Sequence, residues 1–265
     1  MDEVGFQGER GAFSEEAANA LLPGAQTRGF QTFARLIAAV DAGEIGAALL
    51  PIENSISGQI AANYDLLWRH PSLSIVDETV HRVVQSLVGV RGAALENIVE
   101  VRSHPVALEQ CGGLFARYPA WRRTVVDDTA GAVREIVANA DARIAAIGSG
   151  SAARRYGAEI LLEGVQDNPE NFTRFFLIRR QAAKTRPLGR ACVALLLADR
   201  PGSLRDALSA FAEGSLNLRS LVSRPAPDAG PFKYRFYCEI DRADPAALDA
   251  ALAKIEGESR ILGAY

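Results

Sequence analysis

Asn171-Phe172-Thr173-Arg174-Phe175-Phe176-Leu177-Ile178 is the stretch of this chain that decides the fold. Its apolar second half has the length of a buried strand, and we predict that it closes a set of alternating strands and helices. The first half holds an amide, a hydroxyl and a guanidinium. A hydroxyl can hydrogen-bond a leaving group, and an arginine fork can hold a carboxylate through two bonds. The aromatic neighbours would anchor the strand while Thr173 and Arg174 face a cleft.

Upstream of this stretch, short apolar runs alternate with segments of helical periodicity, including one long helix predicted over 106–118. A repeated βα order is typical of a mostly parallel sheet covered by helices. Ligands of such sheets bind where the strands end. Polar segments follow predicted strands at 51–55, 103–105, 127–129 and 148–149. The sequence therefore predicts an α/β domain over residues 1–180 with a site at its strand ends.

The pattern changes after residue 180. Residues 179–190 are rich in arginine and contain Lys184, Pro187 and Gly189, which is typical of an exposed linker. From 190 to 265 strands and helices follow in the order βαββαβ, the ferredoxin-like arrangement of an α+β domain. This order favours a small regulatory or assembly module over a second catalytic core.

Composition and charge exclude several classes of function. The chain has 265 residues, a formal net charge of -3 and a pI near 5.7, which argues against nucleic-acid binding. It lacks a signal-peptide pattern and an apolar run of membrane-spanning length, so we expect a cytoplasmic protein with no membrane partner. Three distant cysteines and three histidines show no metal-ligand spacing, so we expect neither a metal nor a disulfide.

Several motifs, in this order, resemble the prephenate dehydratase family. They are Gly5-Phe6-Gln7-Gly8, Pro51-Ile52-Glu53-Asn54-Ser55, Ser103-His104-Pro105 with Gln110-Cys111, Asp128-Thr129-Ala130, Ala145-Ala146-Ile147 with Ser149, and Asn171-Phe172-Thr173-Arg174-Phe175. The tail resembles an ACT domain through Gly202-Ser203-Leu204, Asn217-Leu218 and Ser223-Arg224-Pro225. Together the two resemblances cover almost the whole chain.

The first resemblance implies a lyase of phenylalanine biosynthesis that converts prephenate to phenylpyruvate with loss of water and carbon dioxide. It also implies two α/β lobes around a cleft, as in type II periplasmic-binding proteins, and no cofactor. Thr173 would donate a hydrogen bond to the departing hydroxyl. Arg174 would hold a substrate carboxylate or the local geometry, and Glu53 would orient polar groups or act as an acid.

The same resemblance implies a set of substrate-binding residues. They are Asn54, Ser55, Ser103, His104, Gln110, Thr129, Ala130, Ser149, Asn171 and Phe172. Three of these have an alternative interpretation, because serine, threonine and a histidine before proline also occur at the first turns of helices. His104, Thr129 with Asp128, and Ser149 are therefore either substrate contacts or helix caps.

The ACT resemblance implies an aromatic amino-acid effector, phenylalanine first, and side-by-side pairing into a homodimer or homotetramer. The implied effector-binding residues are Gly202, Ser203, Leu204, Asn217, Leu218, Ser223, Arg224 and Pro225. This chain departs from the family's patterns at Asp128, Ser203 and Val222. Val222 replaces a glutamate that would partner an effector's ammonium group, so we expect weak phenylalanine binding.

Two other functions remain open. Arogenate dehydratase acts on a substrate that carries an amino group in place of the keto oxygen of prephenate. A non-catalytic amino-acid sensor would use a lobed fold and an ACT module without chemistry.

Overall fold

The computed structural model describes residues 3–180 and 189–265. In chain order its strands are β1 (Val4–Gln7), β2 (Thr27–Phe30), β3 (Ala47–Asn54), β4 (Gly58–Gln59), β5 (Leu73–Arg82), β6 (Ser86–Gly89), β7 (Glu100–Ser103), β8 (Arg122–Val125), β9 (Ile144–Gly148), β10 (Glu159–Glu163), β11 (Phe172–Arg180), β12 (Gly189–Leu197), β13 (Asn217–Pro225), β14 (Tyr234–Ala243) and β15 (Gly257–Ala264). The helices are α1 (Phe13–Leu21), α2 (Phe33–Ala42), α3 (Ala62–Arg69), α4 (Pro105–Glu109), α5 (Gly112–Arg117), α6 (Thr129–Asn139), α7 (Gly150–Tyr156), α8 (Ser203–Glu213) and α9 (Pro245–Leu252).

The first lobe is a sheet in the order β2-β1-β3-β11-β5, with helices on both faces. β1 runs parallel to β2 and β3, whereas β11 lies antiparallel between β3 and β5. Phe175 and Leu177 pack in the apolar cluster that includes Ala17 and Ala18 of α1. Phe176 and Ile178 pack on the other face, in the cluster of α2 and α3. Burial on both faces explains the unbroken apolar run.

The second lobe is a sheet in the order β10-β6-β9-β7-β8, formed by a continuous insertion between β5 and β11. The helix predicted over 106–118 is divided into α4 and α5. The carboxylate of Asp167 accepts hydrogen bonds from the backbone N–H groups of Gly112 and Gly113, both at 2.8 Å, and so starts a new helix there. Gln110 lies at the break between the two helices.

The C-terminal residues form an antiparallel sheet in the order β13-β14-β12-β15, with α8 and α9 packed on it. This is the predicted ferredoxin-like βαββαβ arrangement. Arg179 and Arg180 belong to β11, and Gly189 and Arg190 begin β12, so these four residues of the predicted linker are strand residues. The rest of that prediction, 181–188, lies outside the described residues. None of the described helices has the length and apolarity needed to cross a membrane.

One sheet runs through the first lobe and the C-terminal unit, because β15 continues onto β5 in parallel at Gly263 and Ile75. The two backbones approach so closely that a Cβ atom on Gly263 would overlap the carbonyl oxygen of Ile75. A glycine is therefore required at this junction by space alone.

Gly263→Val is expected to separate β15 from β5 and to lower the free energy of unfolding by about 1–3 kcal/mol, as overpacking does in other buried sites. Urea denaturation followed by circular dichroism measures this change. Ser259→Val, at an exposed position of the same strand, is the matched control and should leave stability nearly unchanged. Equal midpoints for the two variants would show that the junction tolerates a side chain.

Candidate active site

Thr173 and Arg174 lie on opposite faces of β11, because consecutive side chains of a strand alternate between its faces. Thr173 pairs with Asn54 on β3 and with His81 on β5. Arg174 pairs with Glu53 on β3 and points to the C-terminal unit. The expectation that Thr173 and Arg174 both face the cleft is therefore wrong, and the physical reason is the two-residue period of a strand.

The hydroxyl of Thr173 is held by Asn54. The side-chain N–H groups of Asn54 donate to the Thr173 hydroxyl at 3.0 Å and to the Asn171 side-chain oxygen at 2.8 Å. The Asn54 side-chain oxygen accepts from the backbone N–H groups of Ile56 and Ser57, which fixes the orientation of the amide. Because Thr173 accepts this bond, its own hydroxyl proton remains available to a ligand.

Gln110 connects the second lobe to this amide network. Its side-chain oxygen accepts from Asn171 at 2.9 Å, and its side-chain N–H donates to the Ser57 hydroxyl at 3.1 Å. The break between α4 and α5 leaves Gln110 free to turn towards β11. The structure thus brings together Asn54, Gln110, Asn171 and Thr173 from three separate sequence motifs.

A cavity of about 470 Å³ lies between the lobes beside α1. The first residues of α1, α2 and α6 and the cap residue of α4 line it, so the positive ends of these helix dipoles lie nearby. Side chains of Thr32, His104 and Asp128 cap the last three of these helices, whereas no side chain caps α1. Its lining residues are Gln7, Ala12, Phe13, Ser14, Gln31, Thr32, Phe33, His104, Asp127, Asp128 and Thr129.

A histidine that the sequence analysis did not single out lies beside Thr173. The His81 imidazole Nε2 is 3.0 Å from a carboxylate oxygen of Glu16 on α1. Burial would raise the pKa of Glu16, but hydrogen bonds from His81 and from Ser151 of the second lobe lower it, so Glu16 stays ionised. β5 was not predicted as a strand, so no sequence signal placed His81 next to Thr173.

Arg174 is buried on the other face, at 6% exposure. Its two terminal nitrogens donate to the two carboxylate oxygens of Glu239 on β14, at 2.5 and 2.7 Å. Glu53 and Glu78 lie at 3.1 and 3.3 Å from the same guanidinium. Burial by itself would lower the pKa of Arg174. The hydrogen-bonded Glu239 carboxylate raises this pKa by more than burial lowers it, so the guanidinium stays charged. Arg174 therefore connects β11 to the C-terminal unit, and Glu53 of β3 pairs with the same guanidinium.

Several of the other predicted substrate-binding residues hold the backbone around the cleft. Ser103 is fully buried and donates to the carbonyl oxygen of Ile147 at 2.7 Å. Ser149 caps α7 and donates to the carbonyl oxygen of Gly11 at 2.5 Å, which ties the second lobe to the first. Ser55 donates to the carbonyl oxygen of residue 170 and accepts from the N–H of Phe172, both at 2.9 Å. Ala130 is buried inside α6.

The predicted effector-binding residues do not meet within one chain. Ser203 and Leu204, next to the positive-φ Gly202, line a cavity of about 230 Å³. Asn217 lines a different cavity of about 680 Å³, between β5 and the C-terminal unit. Arg224 donates to Asp65 of α3 at 2.8 Å. The remaining residues, Leu218, Ser223 and Pro225, lie along β13.

Val222 is buried in the apolar contact between the C-terminal unit and the first lobe. A glutamate at this position would place a carboxylate in that contact within a single chain. The apolar environment of position 222 is therefore enough to explain why the residue is a valine, and no effector is needed for this explanation.

Two α/β lobes around a polar cleft, with a ferredoxin-like unit continuing one lobe's sheet, define a class of small-molecule-binding proteins with an appended module. Residues 4–183 match the family model of prephenate dehydratase, and the chain belongs to this family.

Named relatives agree with this family. The chain is 36% identical to arogenate dehydratase/prephenate dehydratase 2, chloroplastic, of Arabidopsis thaliana, over 99% of this chain and 72% of that protein. It is similar to the crystal structure of prephenate dehydratase in complex with L-Phe from Arthrobacter aurescens, with TM-score 0.89, 28% identity and coverage of 99% and 90% of the two chains. It is also similar to GqqA, described as a novel type of quorum quenching acylases, with TM-score 0.89, 32% identity and coverage of 98% and 96%.

Glu239→Ala is expected to lower the free energy of unfolding by about 3 kcal/mol, because it leaves the buried Arg174 guanidinium without its two-point partner. Glu213→Ala is the matched control, since Glu213 pairs with Lys254 at the surface and such pairs contribute about 0–1 kcal/mol. Urea denaturation of both variants measures the difference. If the two variants lose the same stability, the Arg174 pair does not anchor β11.

Proposed function

We propose that this protein is a lyase that converts prephenate to phenylpyruvate, water and carbon dioxide in phenylalanine biosynthesis. Residues 1–180 would carry the chemistry and residues 190–265 would form a regulatory ACT domain. The observation that carries this proposal is the Thr173 hydroxyl, held by Asn54 at 3.0 Å on the cleft face of β11 with its proton free to donate. Thr173 belongs to the Thr-Arg-Phe segment through which the sequence resembles the family.

Electrostatics supports a dianionic substrate. Backbone N–H groups at helix starts bind anions, and the starts of α1, α2, α4 and α6 meet at one cavity. The first turn of α1 has no side-chain cap, and the N–H of Glu15 is bonded to the carbonyl oxygen of Ala12. The N–H groups of Phe13 and Ser14 are therefore the ones that would receive a substrate carboxylate. His104 and Thr129 line this cavity as capping and first-turn residues, and we propose that their helices orient the substrate.

Loss of carbon dioxide and of the ring hydroxyl forms an aromatic ring, which favours the reaction once the hydroxyl can leave. Positioning of the leaving hydroxyl contributes to the rate of such a reaction. We propose that Thr173 donates a hydrogen bond to that hydroxyl while Asn54 holds Thr173 in place. Gln110 and Asn171 would keep the lobes closed over the substrate through their mutual hydrogen bond.

For Arg174 and Glu53 we propose positioning roles. Both engage the C-terminal unit or each other on the face of β11 away from Thr173. Arg174 would determine the position of the Thr173 side chain in the cleft, because the two residues are neighbours in the backbone of β11. Ser55, Ser103 and Ser149 would shape the cleft by holding its loops, and Phe172 would take part through its backbone.

Arogenate dehydratase is the second candidate, and a specific observation favours it. Asp127 and Asp128 line the same cavity as the helix starts. A carboxylate repels a dianion but attracts the ammonium group that arogenate carries in place of a keto oxygen. One oxygen of Asp128 accepts a hydrogen bond from the backbone N–H of Gly131 at 2.6 Å, so Asp127 is the more available partner.

Purified protein is expected to convert both substrates in a side-by-side assay, with product followed by absorbance and by mass spectrometry. Thr173→Val, which removes the hydroxyl and keeps the shape, should lower kcat about 100-fold or more. Thr79→Val, a matched threonine on β5, should leave kcat unchanged.

The outcomes separate the candidates. Preference for prephenate or for arogenate assigns the substrate, and full activity of Thr173→Val would remove Thr173 from the mechanism. No conversion of either substrate by folded protein that binds an aromatic amino acid would favour the sensor.

The similarity to GqqA introduces acyl transfer as a further kind of chemistry. Acyl transfer by an enzyme commonly needs an activated nucleophile. Cys111 and Cys238 are buried, and burial raises the pKa of each thiol to about 12, so neither is a thiolate at neutral pH. The Ser103 hydroxyl is buried and bonded to a carbonyl oxygen. These groups support the lyase more than an acylase.

For the C-terminal unit we propose phenylalanine as the effector and pairing into a homodimer or homotetramer. The similar Arthrobacter structure is a complex with L-Phe. Because the predicted effector residues do not meet within one chain, pairing of two C-terminal units is the arrangement that would gather them. A cytoplasmic location stays a prediction, since the name of the Arabidopsis relative includes the word chloroplastic.

Phenylalanine binding is expected in isothermal titration calorimetry of the whole protein. Asn217→Ala should weaken it at least about tenfold, which corresponds to the loss of one good hydrogen bond of about 1.4 kcal/mol. Ser259→Ala, exposed on β15, is the control and should bind as the native protein does. Absence of any heat at millimolar phenylalanine would exclude it as the effector.

A further inference from the structure

Three polar side chains form a row on the cleft face of the first lobe's sheet. Asn54, Thr173 and His81 lie directly opposite one another on β3, β11 and β5. Directly opposed residues of antiparallel strands project to the same face with their Cβ atoms about 5 Å apart. The imidazole of His81 therefore stands next to the Thr173 hydroxyl, on the side away from Asn54.

The environment of His81 is that of an acid–base group. One ring nitrogen, Nε2, is bound to the Glu16 carboxylate at 3.0 Å, and the side chain of His81 is 20% exposed. Within the described part of the chain, Nδ1 makes no hydrogen bond. A carboxylate on one nitrogen stabilises the imidazolium and orients the ring, and the other nitrogen can then donate its proton.

The proposed reaction needs such a proton. Departure of hydroxide from carbon is unfavourable unless the oxygen is protonated as it leaves, and a threonine hydroxyl is too weak an acid to supply that proton. His81 is the histidine that shares the cleft face of the sheet with Thr173.

We propose that His81, as an imidazolium, protonates the departing hydroxyl while Thr173 orients it, an inference that rests on the proposed dehydratase function. The carbon–oxygen bond breaks with its electron pair going to oxygen, which takes the His81 proton and leaves as water. The bond to the ring carboxylate breaks to give carbon dioxide, and its electron pair completes the aromatic ring. Neutral His81 then recovers a proton from solvent.

Polar and charged groups of neighbouring elements surround the pair of His81 and Glu16. Glu16 approaches from α1, and the Thr173 hydroxyl lies beside it on β11. Ser151 of α7 reaches Glu16 from the second lobe, and Arg154 in turn donates to Ser151 at 3.1 Å. Arg82 follows His81 in the chain and donates to the carbonyl oxygen of residue 169.

The test is the pH dependence of kcat at saturating substrate, between about pH 5 and 9. In the native protein kcat should fall as the pH rises and the imidazolium form is lost. His81→Gln keeps a hydrogen-bond donor for Glu16 but cannot titrate. It should lower kcat about 100-fold with little change in KM, and its kcat should no longer fall over this range.

His70→Gln is the matched control. His70 forms a similar pair with a carboxylate, at 2.7 Å from Asp41, at the end of α3 and away from Thr173. This variant should keep both kcat and the pH profile of the native protein. A profile altered equally by the two substitutions would overturn the proposal.

Glu16→Gln gives an independent readout, also if His81→Gln does not fold. Loss of the carboxylate charge destabilises the imidazolium, so the fall of kcat should move to lower pH by about one unit. An unmoved profile, or a His81→Gln variant with native kcat, would refute the role of His81. A native protein that is inactive on both prephenate and arogenate would instead refute the proposed function.

Discussion

The two-point ion pair between Arg174 of β11 and Glu239 of β14 is the interaction on which the arrangement of the site depends. Both groups are buried, and the Tyr64 hydroxyl donates to the same carboxylate at 2.5 Å. A buried guanidinium without its partner would cost several kcal/mol, so β11 and the C-terminal unit keep this register. Arg174 follows Thr173 directly in the chain, so the ion pair also determines the position of the Thr173 side chain in the cleft.

The two faces of β11 therefore have different roles, and consecutive residues of the strand carry them. On one face Thr173 stands between Asn54 and His81, and on the other Arg174 meets carboxylates of the first lobe and of the C-terminal unit. A displacement of β14 would move Arg174, and it would also move Thr173, because Thr173 precedes Arg174 in the chain. Allosteric coupling needs an element whose position both sites affect, and β11 is such an element if an effector binds the C-terminal unit.

The lobes are joined by short polar contacts and by one apolar cluster, in which Phe6 and Ala12 of the first lobe pack with residues of α6 and α7. Gln110 bonds to Asn171 and Ser57, Ser149 bonds to residue 11, and Glu16 bonds to Ser151. The polar contacts can be exchanged for water at small cost, which suits a cleft that opens and closes around a substrate while the lobes stay joined at the apolar cluster. Two further apolar clusters, one wholly within the second lobe and one wholly within the C-terminal unit, remain intact during such a motion.

The sequence by itself determined the α/β class, the βαββαβ order of the C-terminal residues and the motifs that carry Asn54, Gln110, Asn171 and Thr173. These follow from apolar periodicity and local residue order, which act over a few neighbouring positions. Only the tertiary structure decided that Arg174 turns away from the cleft, that Gly112 and Gly113 start a separate helix, and that His81 stands beside Thr173. Strand alternation, the distant Asp167 carboxylate and the pairing of an unpredicted strand, β5, are long-range constraints. Pairing joins residues that are far apart in the chain, so no local pattern records it.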